Sequence, residues 1–540
     1  MPFHRLVMLG LSLYFVYYQL RMFDSASCGP ALVSFGHRTM TRGSSDLMWS
    51  QLLTLKARDD IGLQKQLRSV LSKAILDGKI SIDVPLPSSR RLSQLLGVSR
   101  NTVVLAYQSL INDRFVVSRE RAGYFVNPEI LTERIGVSRV QVEMPSAPEW
   151  QARFKVEPSR QRNIEKPQRW QKFKYPFIFG QGDPALFPVA DWRECLRQAM
   201  SLSSIAQEGL DRIDRDDERL VEMIRSRLLP GRGIWVAPEN ILVTLGAQNA
   251  LFLLAQLLLR PTDTIGIEDP CYPDARNLFA LHTTNIVPLA VDHTGLNPDE
   301  RLNGCDYLYV TPSHQSPTAV TLSLSRRELL LARACQHDMV IIEDDYEPEM
   351  NFSAEPSPAL KSLDQNDRVL YVSSLSKWLA PGLRLGFMVG PAAIIREARA
   401  LRRLQLRHPP ALLQTAVALF IELGHHSSHL SHLRQAYRHR RQSLDQAISR
   451  HLPWVDRTPS SGGTAVWLRG PSYLDTRRLA ADCVAEGVLI EPGDVFFASD
   501  PAPRNFFRLG FASIAPELID AGVERLAYAA EKQFGRTRFA

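Results

Sequence analysis

The sequence predicts a small winged helix-turn-helix domain followed by a large α/β domain with a mostly parallel sheet. Two short amphipathic segments flank Gly97, as two helices joined by a tight turn would do. Beyond residue 175, apolar strand-like runs alternate with helical stretches. The length of 540 residues exceeds what one ordinary core occupies. We therefore divide the chain into a winged helix-turn-helix domain at 46–127, a linker at 128–172 and the large domain at 173–540.

The composition is that of an intracellular globular protein. Hydrophobic residues make up 45% of the chain and charged residues 22%. The net charge of +7 permits a polyanionic partner without requiring one. Cysteines stand at positions 28, 195, 271, 305, 335 and 483, with no CxxC pair. This scatter argues against a zinc site and against a secreted disulfide framework, so we expect no metal and a cytoplasmic location.

Residues 1–45 are set aside as a doubtful extension. The run LVMLGLSLYFVYYQL at 6–20 is strongly apolar, yet shorter than the ~20 residues of a membrane-spanning helix. It resembles the core of a signal peptide. We favour a start codon placed too far upstream, with translation beginning at Met40 or Met48, because the chain beyond these positions is intracellular in character. We expect no membrane association.

The first predicted domain begins with a helical pattern from Leu63, which Gly78 ends. In the stretch PLPSSRRLSQLLGVSRNTVVLAYQSL, Ser88 and Ser99 are suited to cap two further helices, and Gly97 supplies the turn between them. The stretch FVVSRERAGYFV then alternates like a short hairpin, which predicts a wing.

Hydrogen-bond donors cluster at the start of the second capped helix and at the tip of the hairpin: Arg100, Asn101, Thr102, Arg121 and Gly123. The domain holds 12 Lys or Arg against 7 Asp or Glu. Two helices that merely pack, with solvated arginines, would give a similar pattern. We interpret the clustering as a surface for double-stranded DNA, with donors for phosphates and base edges.

The linker predicted at 128–172 is polar, contains prolines and carries several Lys and Arg residues. We interpret it as a solvated tether. Secondary contacts to DNA phosphates are the alternative.

The large domain carries its notable polar residues directly after strand-like runs, where an open α/β sheet binds ligands. The runs are NILVTL, TIGIED, DYLYVT, MVIIEDD, RVLYVSS and LGFMVG. The candidate site residues are Gly246, Ala247 and Gln248, then Tyr272, then Asp344 and Tyr346, and finally Ser374, Ser376, Lys377 and Arg384.

Together these residues suit pyridoxal 5′-phosphate, although each alone has an ordinary structural explanation. A lysine binds the aldehyde, a carboxylate keeps the ring nitrogen protonated, and an aromatic ring such as Tyr272 stacks on the pyridine. Hydroxyls, an arginine and a helix N-terminus hold the phosphate. We expect Arg384 to lower the pKa of Lys377 and so favour reaction with the aldehyde.

The first domain resembles the winged-helix domain of the GntR family of bacterial repressors, through LPSSRRLSQLLGVSRNTVVLAYQSL. The resemblance implies that DNA is contacted by Arg90, Arg100, Asn101 and Thr102, with the wing near Arg121 and Gly123.

The large domain resembles the fold-type-I aminotransferases, and the two domains together resemble the MocR/GabR subfamily of GntR regulators. The matching stretches include TLGAQNAL, IIEDDYEPE, SLSKWLAPGLRLGFMV and FFRLGFA. The resemblance implies Lys377 as the cofactor lysine, with Asp344 at the ring nitrogen and Tyr346 at the ring hydroxyl. It implies Arg508 as the clamp for an effector carboxylate, and a homodimer. Around the phosphate it implies Gly246, Ala247, Gln248, Ser374, Ser376 and Arg384.

The sequence departs from the family pattern near the expected site. The family commonly has a tyrosine and a glycine upstream of the Arg232-Gly233 pair, and the stretch DRIDRDDERL has neither. Cys271 and Ala319 stand where glycines are usual, and Ser316 stands where an aromatic residue is usual.

Three functions remain open at this point. The first is a transcriptional regulator that senses pyridoxal phosphate, an amino acid or an amine through transimination at Lys377. The second is a working aminotransferase with an accessory DNA-binding domain. The third is a regulator that uses the large domain only as a scaffold for dimerisation.

Overall fold

The computed structural model describes residues 61–120, 122–132, 148–201, 209–352 and 358–537, with the isolated positions 49, 52, 53, 55, 203, 205 and 206. The chain divides into two compact units, an N-terminal unit at 1–149 and a large unit at 150–540. Within the described ranges no helix combines the length and the apolar character that crossing a bilayer requires. The expectations for residues 1–45 and for Arg121 concern positions outside the described residues.

The N-terminal unit contains the predicted helix-turn-helix and hairpin. Its elements are α1 (Leu63–Leu76), α2 (Ser89–Leu96), α3 (Arg100–Asn112), β1 (Val116–Arg119), β2 (Gly123–Val126) and α4 (Pro128–Thr132). Leu67, Leu92 and Leu110, from the three long helices, are fully buried in one core. The strands β1 and β2 pair antiparallel, which is the predicted wing.

The turn between α2 and α3 forms as its sequence predicts. The Ser88 hydroxyl accepts a hydrogen bond from the Arg91 amide at 3.3 Å, and the Ser99 hydroxyl accepts one from the Thr102 amide at 3.1 Å. These bonds satisfy amide groups that the first turn of a helix leaves without partners. Gly97 ends α2 with a φ of 64°, a left-handed conformation that glycine adopts without a steric penalty. The predicted helix-turn-helix is confirmed.

The strands of the large unit are β3 (Tyr175–Pro176), β4 (Ile241–Thr244), β5 (Ile265–Asp269), β6 (Ile286–Asp292), β7 (Gly295–Leu296), β8 (Tyr307–Val310), β9 (Val340–Asp345), β10 (Val369–Ser374), β11 (Gly386–Val389), β12 (Asp456–Arg457), β13 (Ala465–Arg469), β14 (Val488–Leu489), β15 (Glu491–Pro492) and β16 (Phe506–Gly510). Its helices are α5 (Trp150–Arg153), α6 (Val189–Ala199), α7 (Glu218–Met223), α8 (Ala247–Leu258), α9 (Pro273–Phe279), α10 (Leu324–Gln336), α11 (Leu360–Leu363), α12 (Ala392–Leu406), α13 (Ala411–Glu422), α14 (His425–His451), α15 (Thr476–Ala485) and α16 (Pro516–Thr537).

The main sheet has the order β4-β11-β10-β9-β8-β5-β6-β7 among the described residues. Strands β11 and β7 run opposite to the others, so the predicted mostly parallel sheet is confirmed. Both faces are covered. Ile241 and Val243 pack into one core with α13 and α14, while Leu242, between them, packs into a second core with α8. Burial on both faces explains why these strands read as continuous apolar runs.

A second, antiparallel sheet near the C-terminus has the order β12-β13-β16-β15. Its register places Arg508 of β16 between Trp467 of β13 and Glu491 of β15. This register fixes the position of the arginine that was predicted to bind the effector.

The second half of the predicted linker differs from the expected solvated tether, because residues from Trp150 onward belong to the large unit. We call residues 161–167 the strap. The side chain of Gln161 donates to the Asn277 carbonyl at 2.9 Å, and the Asn277 side chain donates to the Arg162 carbonyl at 2.9 Å. The composition of this segment suggested solvation, but these long-range hydrogen bonds hold it on helix α9.

Candidate functional site

A cavity of about 410 Å³ opens where strands β4, β5, β9 and β10 end. The predicted site residues that line it are Ala247, Gln248, Tyr272, Asp344, Tyr346, Ser374, Ser376, Lys377, Arg384 and Arg508. Gly246 adjoins them as the residue that caps α8. The fold thus gathers side chains from positions 247 to 508 at the edge of the sheet where such folds bind ligands.

Lys377 lies just after β10, half-buried in the cavity wall. Its Nζ atom is 4.5 Å from the centroid of the Phe179 ring and 5.6 Å from that of the Tyr346 ring. Burial lowers the pKa of the Lys377 amine, and the neighbouring cations Lys166 and Arg508 lower it further. The nearby carboxyl groups of Glu347 and Asp344 oppose this effect.

The sequence-based reason for the lowered pKa is therefore wrong, although its direction is supported. Arg384, the expected cause, donates to the Leu245 carbonyl at 3.4 Å on an exposed part of the cavity wall. The cations that act on Lys377 come from distant parts of the sequence, Lys166 and Arg508.

A lowered pKa predicts the pH dependence of cofactor attachment. Only the neutral amine attacks an aldehyde, and a lowered pKa gives more neutral amine at a given pH. We expect the rate of covalent attachment of pyridoxal phosphate to rise with pH, with a midpoint below the ordinary lysine value of 10.5. Stopped-flow absorbance measures this rate, with free Nα-acetyl-lysine as the control. A midpoint equal to that of the free amine would contradict the assignment.

Asp344 projects into the cavity from the penultimate position of β9. Its Oδ2 accepts a hydrogen bond from the Tyr309 hydroxyl at 2.9 Å, while its Oδ1 is buried without a partner among the described residues. Burial raises the pKa of Asp344 to about 6. An unsatisfied buried carboxylate oxygen is costly, and a protonated ring nitrogen would satisfy it. This atom fits the pyridine nitrogen of pyridoxal phosphate.

The neighbouring Asp345 has a different environment, since successive side chains of a strand point to opposite faces. Its Oδ2 accepts hydrogen bonds from Arg232 at 2.9 Å and from the Tyr371 hydroxyl at 2.8 Å. Of the two adjacent acids, only Asp344 lines the cavity among the described residues.

The cavity has an anion-binding end at the start of α8. Gly246 has a φ of 77° and turns the chain from β4 into the helix, whose first amide groups point outward. A Cβ atom on Gly386 of β11 would lie 2.8 Å from the Gly246 Cα, so these two backbones need glycine to approach. Arg384, beside them, has a φ of 52°, a conformation uncommon for a residue with a side chain. These features fit a phosphate.

The two serines predicted to bind the phosphate differ in the hydrogen bonds that their hydroxyl groups make. The Ser376 hydroxyl donates to the Leu385 carbonyl at 3.1 Å and accepts from the Leu385 amide at 3.0 Å. It therefore holds the turn between β10 and β11, in addition to lining the cavity. Ser374 is buried at the end of β10 and lines the cavity as well.

The two predicted tyrosines border the space for a planar ring. The Tyr272 hydroxyl donates to Asp274 at 2.9 Å, which fixes the ring at the cavity wall. Tyr346 meets Phe179 edge-to-face with ring centroids 6.1 Å apart.

Arg508 is only 2% exposed and bears an unused donor. Its Nε donates to Glu491 at 2.7 Å, whereas its Nη2 has no partner within the described structure. The guanidinium lies 4.3 Å from the Phe179 ring centroid and 4.6 Å from that of Phe496. An acid group entering the cavity would satisfy the unused donor.

Sequence reasoning missed four residues of this site: Lys166, Phe179, Tyr309 and Glu491. Tyr309 lies near the end of the strand-like run DYLYVT, so its position gave a signal. Glu491 follows another apolar run, but nothing in the sequence pairs it with Arg508, which lies on the adjacent strand. Lys166 fell in the predicted linker, where composition indicates solvation.

The family departures fall at ordered positions. In the stretch without the expected tyrosine, the buried Asp216 accepts hydrogen bonds from Arg399 at 2.7 Å and from the fully buried Arg402. Ala319 has a φ of 60°, in the left-handed region that favours the usual glycine. Ser316 lines the cavity, and the Cys271 side chain is buried.

The predicted DNA-contacting side chains of the N-terminal unit are mainly exposed. Arg90, Arg100 and Asn101 are exposed, as is Gly123 in the wing, where φ is 107°. Thr102 is half-buried, and its hydroxyl lies 2.8 Å from that of Ser99, so it also supports the helix cap. Helix-turn-helix motifs insert the start of their second helix into the major groove of DNA, so this part of the helix needs to be exposed.

Comparison with known families gives two matches along the chain. Residues 177–526 match the family "Aminotransferase class I and II", and residues 63–126 match "Bacterial regulatory proteins, gntR family". The first match covers most of the large unit and the second covers the helix-turn-helix with its wing.

Two transcriptional regulators are similar to this chain over nearly their whole length. The HTH-type transcriptional regulator TauR of Rhodobacter capsulatus is 40% identical over 467 residues, which are 86% of this chain and 96% of that protein. The probable rhizopine catabolism regulatory protein MocR of Rhizobium meliloti is 31% identical, over 88% of this chain and 95% of that protein.

Among solved structures, the large unit is similar to LysN, the α-aminoadipate aminotransferase of Thermus thermophilus, in complex with N-(5′-phosphopyridoxyl)-L-leucine. The TM-score is 0.65 at 26% identity, covering 72% of this chain and all of that one. The kynurenine aminotransferase of Pyrococcus horikoshii gives a TM-score of 0.62 at 26% identity, covering 75% of this chain and 99% of that one.

Proposed function

This chain belongs to the MocR/GabR subfamily of GntR transcriptional regulators, which join a helix-turn-helix to an aminotransferase class I and II domain. We therefore propose that it is a pyridoxal phosphate-dependent regulator that senses an amine or amino acid. The observation that carries this proposal is the cavity in which Lys377, Asp344 and Arg508 meet. When bound, pyridoxal phosphate supplies an aldehyde that exchanges its bond to a lysine amine for a bond to the amine of a ligand, by transimination.

Each residue has a task in this proposal. Lys377 provides the amine, whose pKa burial lowers. The Oδ1 atom of Asp344 would accept a hydrogen bond from the protonated ring nitrogen, while the Tyr309 hydroxyl donates to the other carboxylate oxygen. The start of α8, together with Arg384, binds the phosphate. The free Nη2 of Arg508 binds the acid group of the effector.

The proposal gives the N-terminal unit the task of binding double-stranded DNA in the cytoplasm. Aminotransferase-like domains of this class generally dimerise, so we propose a homodimer that presents two recognition helices to paired half-sites. An effector changes DNA binding to the extent that it binds two conformations of the large unit unequally.

Replacing Arg100 by alanine tests the DNA-binding part. We expect Arg100→Ala to weaken binding to the DNA upstream of the gene about 5–150-fold at physiological salt, since a base contact of arginine contributes about 1–3 kcal/mol. Fluorescence anisotropy measures the affinity, and cofactor content is expected to be unchanged. Lys73→Ala is the matched control, since Lys73 is exposed on α1 and its replacement removes the same charge. Equal affinities of Arg100→Ala and the parent protein would contradict the recognition-helix assignment.

A working aminotransferase is the second candidate, favoured by the same set of lysine, aspartate and arginine in the cavity. Mixing the loaded protein with amino donors and an oxoacid separates the two functions. Many turnovers per site would establish an enzyme. A single exchange without turnover, accompanied by a change in DNA affinity, would establish a sensor.

A further inference from the structure

The strap adds a cation to the cavity that neither the sequence pattern nor the family motif indicates. Lys166 lines the cavity, and its Nζ donates to the Phe179 carbonyl. The same Nζ lies 3.3 Å from the Glu491 carboxylate, whose other oxygen accepts from Arg508 at 2.7 Å. Glu491 is thus shared between a cation of the strap and the buried arginine of β16.

Lys166 is also close to the reactive lysine. A Cβ atom built on Gly180, whose φ is 74°, would lie 3.5 Å from the Lys377 Nζ and 3.8 Å from the Lys166 Nζ. Both amines therefore face the same small space. A ligand whose amine reaches the position of Lys377 brings its other end within range of Lys166 and Arg508.

Glu491 pairs with both cations, Lys166 and Arg508. The carboxyl groups of Asp274 and Glu347 also act on Lys166 and Arg508, respectively. Burial lowers the pKa of Lys166, and Arg508 lowers it further, against the opposing effect of Glu491. The Nη2 donor of Arg508 still has no partner within the described structure. The acid group of a ligand would fill this open donor position within reach of Lys166.

We propose that Lys166 is an effector-binding residue, which contacts the acid group of an amino acid jointly with Arg508. This inference rests on the proposed function and extends it to the strap. In sequence, the strap follows the N-terminal unit by way of residues 150–160.

Lys166 is one of several anchors of the strap. The others are three hydrogen bonds with Asn277 and the Arg162 side chain, which donates to the Phe497 carbonyl at 3.1 Å and to the Ser499 carbonyl at 3.5 Å. Ile164 packs on a small cluster around Trp467. A segment with few buried contacts opens at a low free-energy cost. The protection of its amide groups from hydrogen exchange is therefore sensitive to a single ligand contact.

Calorimetric titration of the cofactor-loaded full chain tests this proposal. The probes with an acid group are L-alanine and β-alanine, and the probes without one are ethylamine and propylamine. We expect Lys166→Met to weaken binding of at least one acid probe about tenfold or more relative to the simple amines, as loss of a charge-assisted hydrogen bond does. An effect through the pKa of Lys377 is common to all amines and cancels in this ratio. Lys166→Arg is expected to stay within a few-fold of the parent. Lys172→Met, an exposed lysine just beyond the strap, is the control.

A second readout separates contact from mere structural support. Hydrogen exchange of residues 161–167 is expected to slow when the acid probe that binds most tightly is added to the parent, and to stay unchanged in Lys166→Met. Equal affinity of Lys166→Met and the parent for every acid probe would overturn the proposal. So would an equal loss for acid probes and simple amines. If no probe binds the parent protein at all, the proposed function itself fails, which is a distinct result.

Discussion

Replacing Lys377 by alanine is expected to abolish covalent retention of pyridoxal phosphate and any response of DNA binding to amines. The side chain places an amine in the cavity directly after β10, and its lowered pKa suits reaction with an aldehyde. The test is borohydride reduction followed by trypsin and mass analysis. In the parent, modification of Lys377 blocks cleavage and yields the peptide 369–384, whereas the unmodified chain yields 369–377.

The controls for this experiment depend on the neighbours of Lys377. Peptides that contain Lys166 are analysed as well, because the two Nζ atoms face the same space beside Gly180. Lys172→Ala, at an exposed position, is expected to retain the cofactor fully. The alanine variant is expected to bind DNA in the absence of amines with the affinity of the parent apoprotein, since the N-terminal unit folds around its own core. An unmodified peptide 369–377 from the loaded parent would refute the cofactor assignment.

Replacing Asp344 by asparagine is expected to stabilise the apoprotein and to weaken cofactor binding. Burial raises the pKa of Asp344 from 3.8 to about 6, so the folded apoprotein favours the neutral acid. That contribution to stability is complete below the ordinary pKa of 3.8 and is lost as the pH rises through 6. At pH 7.5 the ionised carboxylate costs about 2–3 kcal/mol of unfolding free energy, and a neutral amide avoids this cost.

The cofactor reverses the sign of this effect. In the proposed cofactor complex, the carboxylate of Asp344 would pair with the protonated ring nitrogen, whereas the amide of asparagine would not hold that proton. Loss of a hydrogen bond to a charged group is expected to weaken binding of pyridoxal phosphate by about 1.5–3 kcal/mol, or about 10–100-fold.

Urea titrations of the two apoproteins between pH 5 and pH 8 check the stability effect. Tryptophan fluorescence follows mainly the large unit, since all tryptophans except Trp49 lie there. The difference in the free energy of unfolding between the variant and the parent apoprotein is expected to widen as the pH rises from 5 to 7. Asp338 is an exposed acid just before β9. Its replacement, Asp338→Asn, is the matched control and is expected to change neither the stability of the apoprotein nor its affinity for pyridoxal phosphate. A variant that is less stable than the parent at pH 7.5 would contradict the assignment of Asp344 as a buried, unsatisfied acid.

Much of the fold was predictable because its signals are local. The helix-turn-helix depends on Ser88, Gly97 and Ser99, whose capping and turn preferences act within a few residues. Apolar runs indicate the strands of the main sheet, and the polar residues after them reach the same edge because parallel strands end there. Gathering of Asp344, Lys377 and the glycine turn at residue 246 into one cavity follows from this rule.

Other features have no local signal. The sequence indicated a solvated tether at 128–172, but hydrogen bonds between the strap and Asn277 hold part of it on α9. Those partners lie more than a hundred residues apart, and polar composition does not reveal such pairings. The same limit applies to the cause of the lowered pKa of Lys377, for which the nearby Arg384 was the obvious and mistaken choice.

The sequence by itself determined which domains are present, their order, and which lysine, aspartate and arginine stand where a cofactor would need them. Only the tertiary structure decided that Glu491 is shared by Arg508 and Lys166, that Oδ1 of Asp344 lacks a partner among the described residues, and that Lys377 is partly withdrawn from water. The physical reason is that residue identity and local pattern depend only on neighbouring positions in the sequence. The dielectric surroundings of a charge and its hydrogen-bond partners depend on which distant segments pack against it.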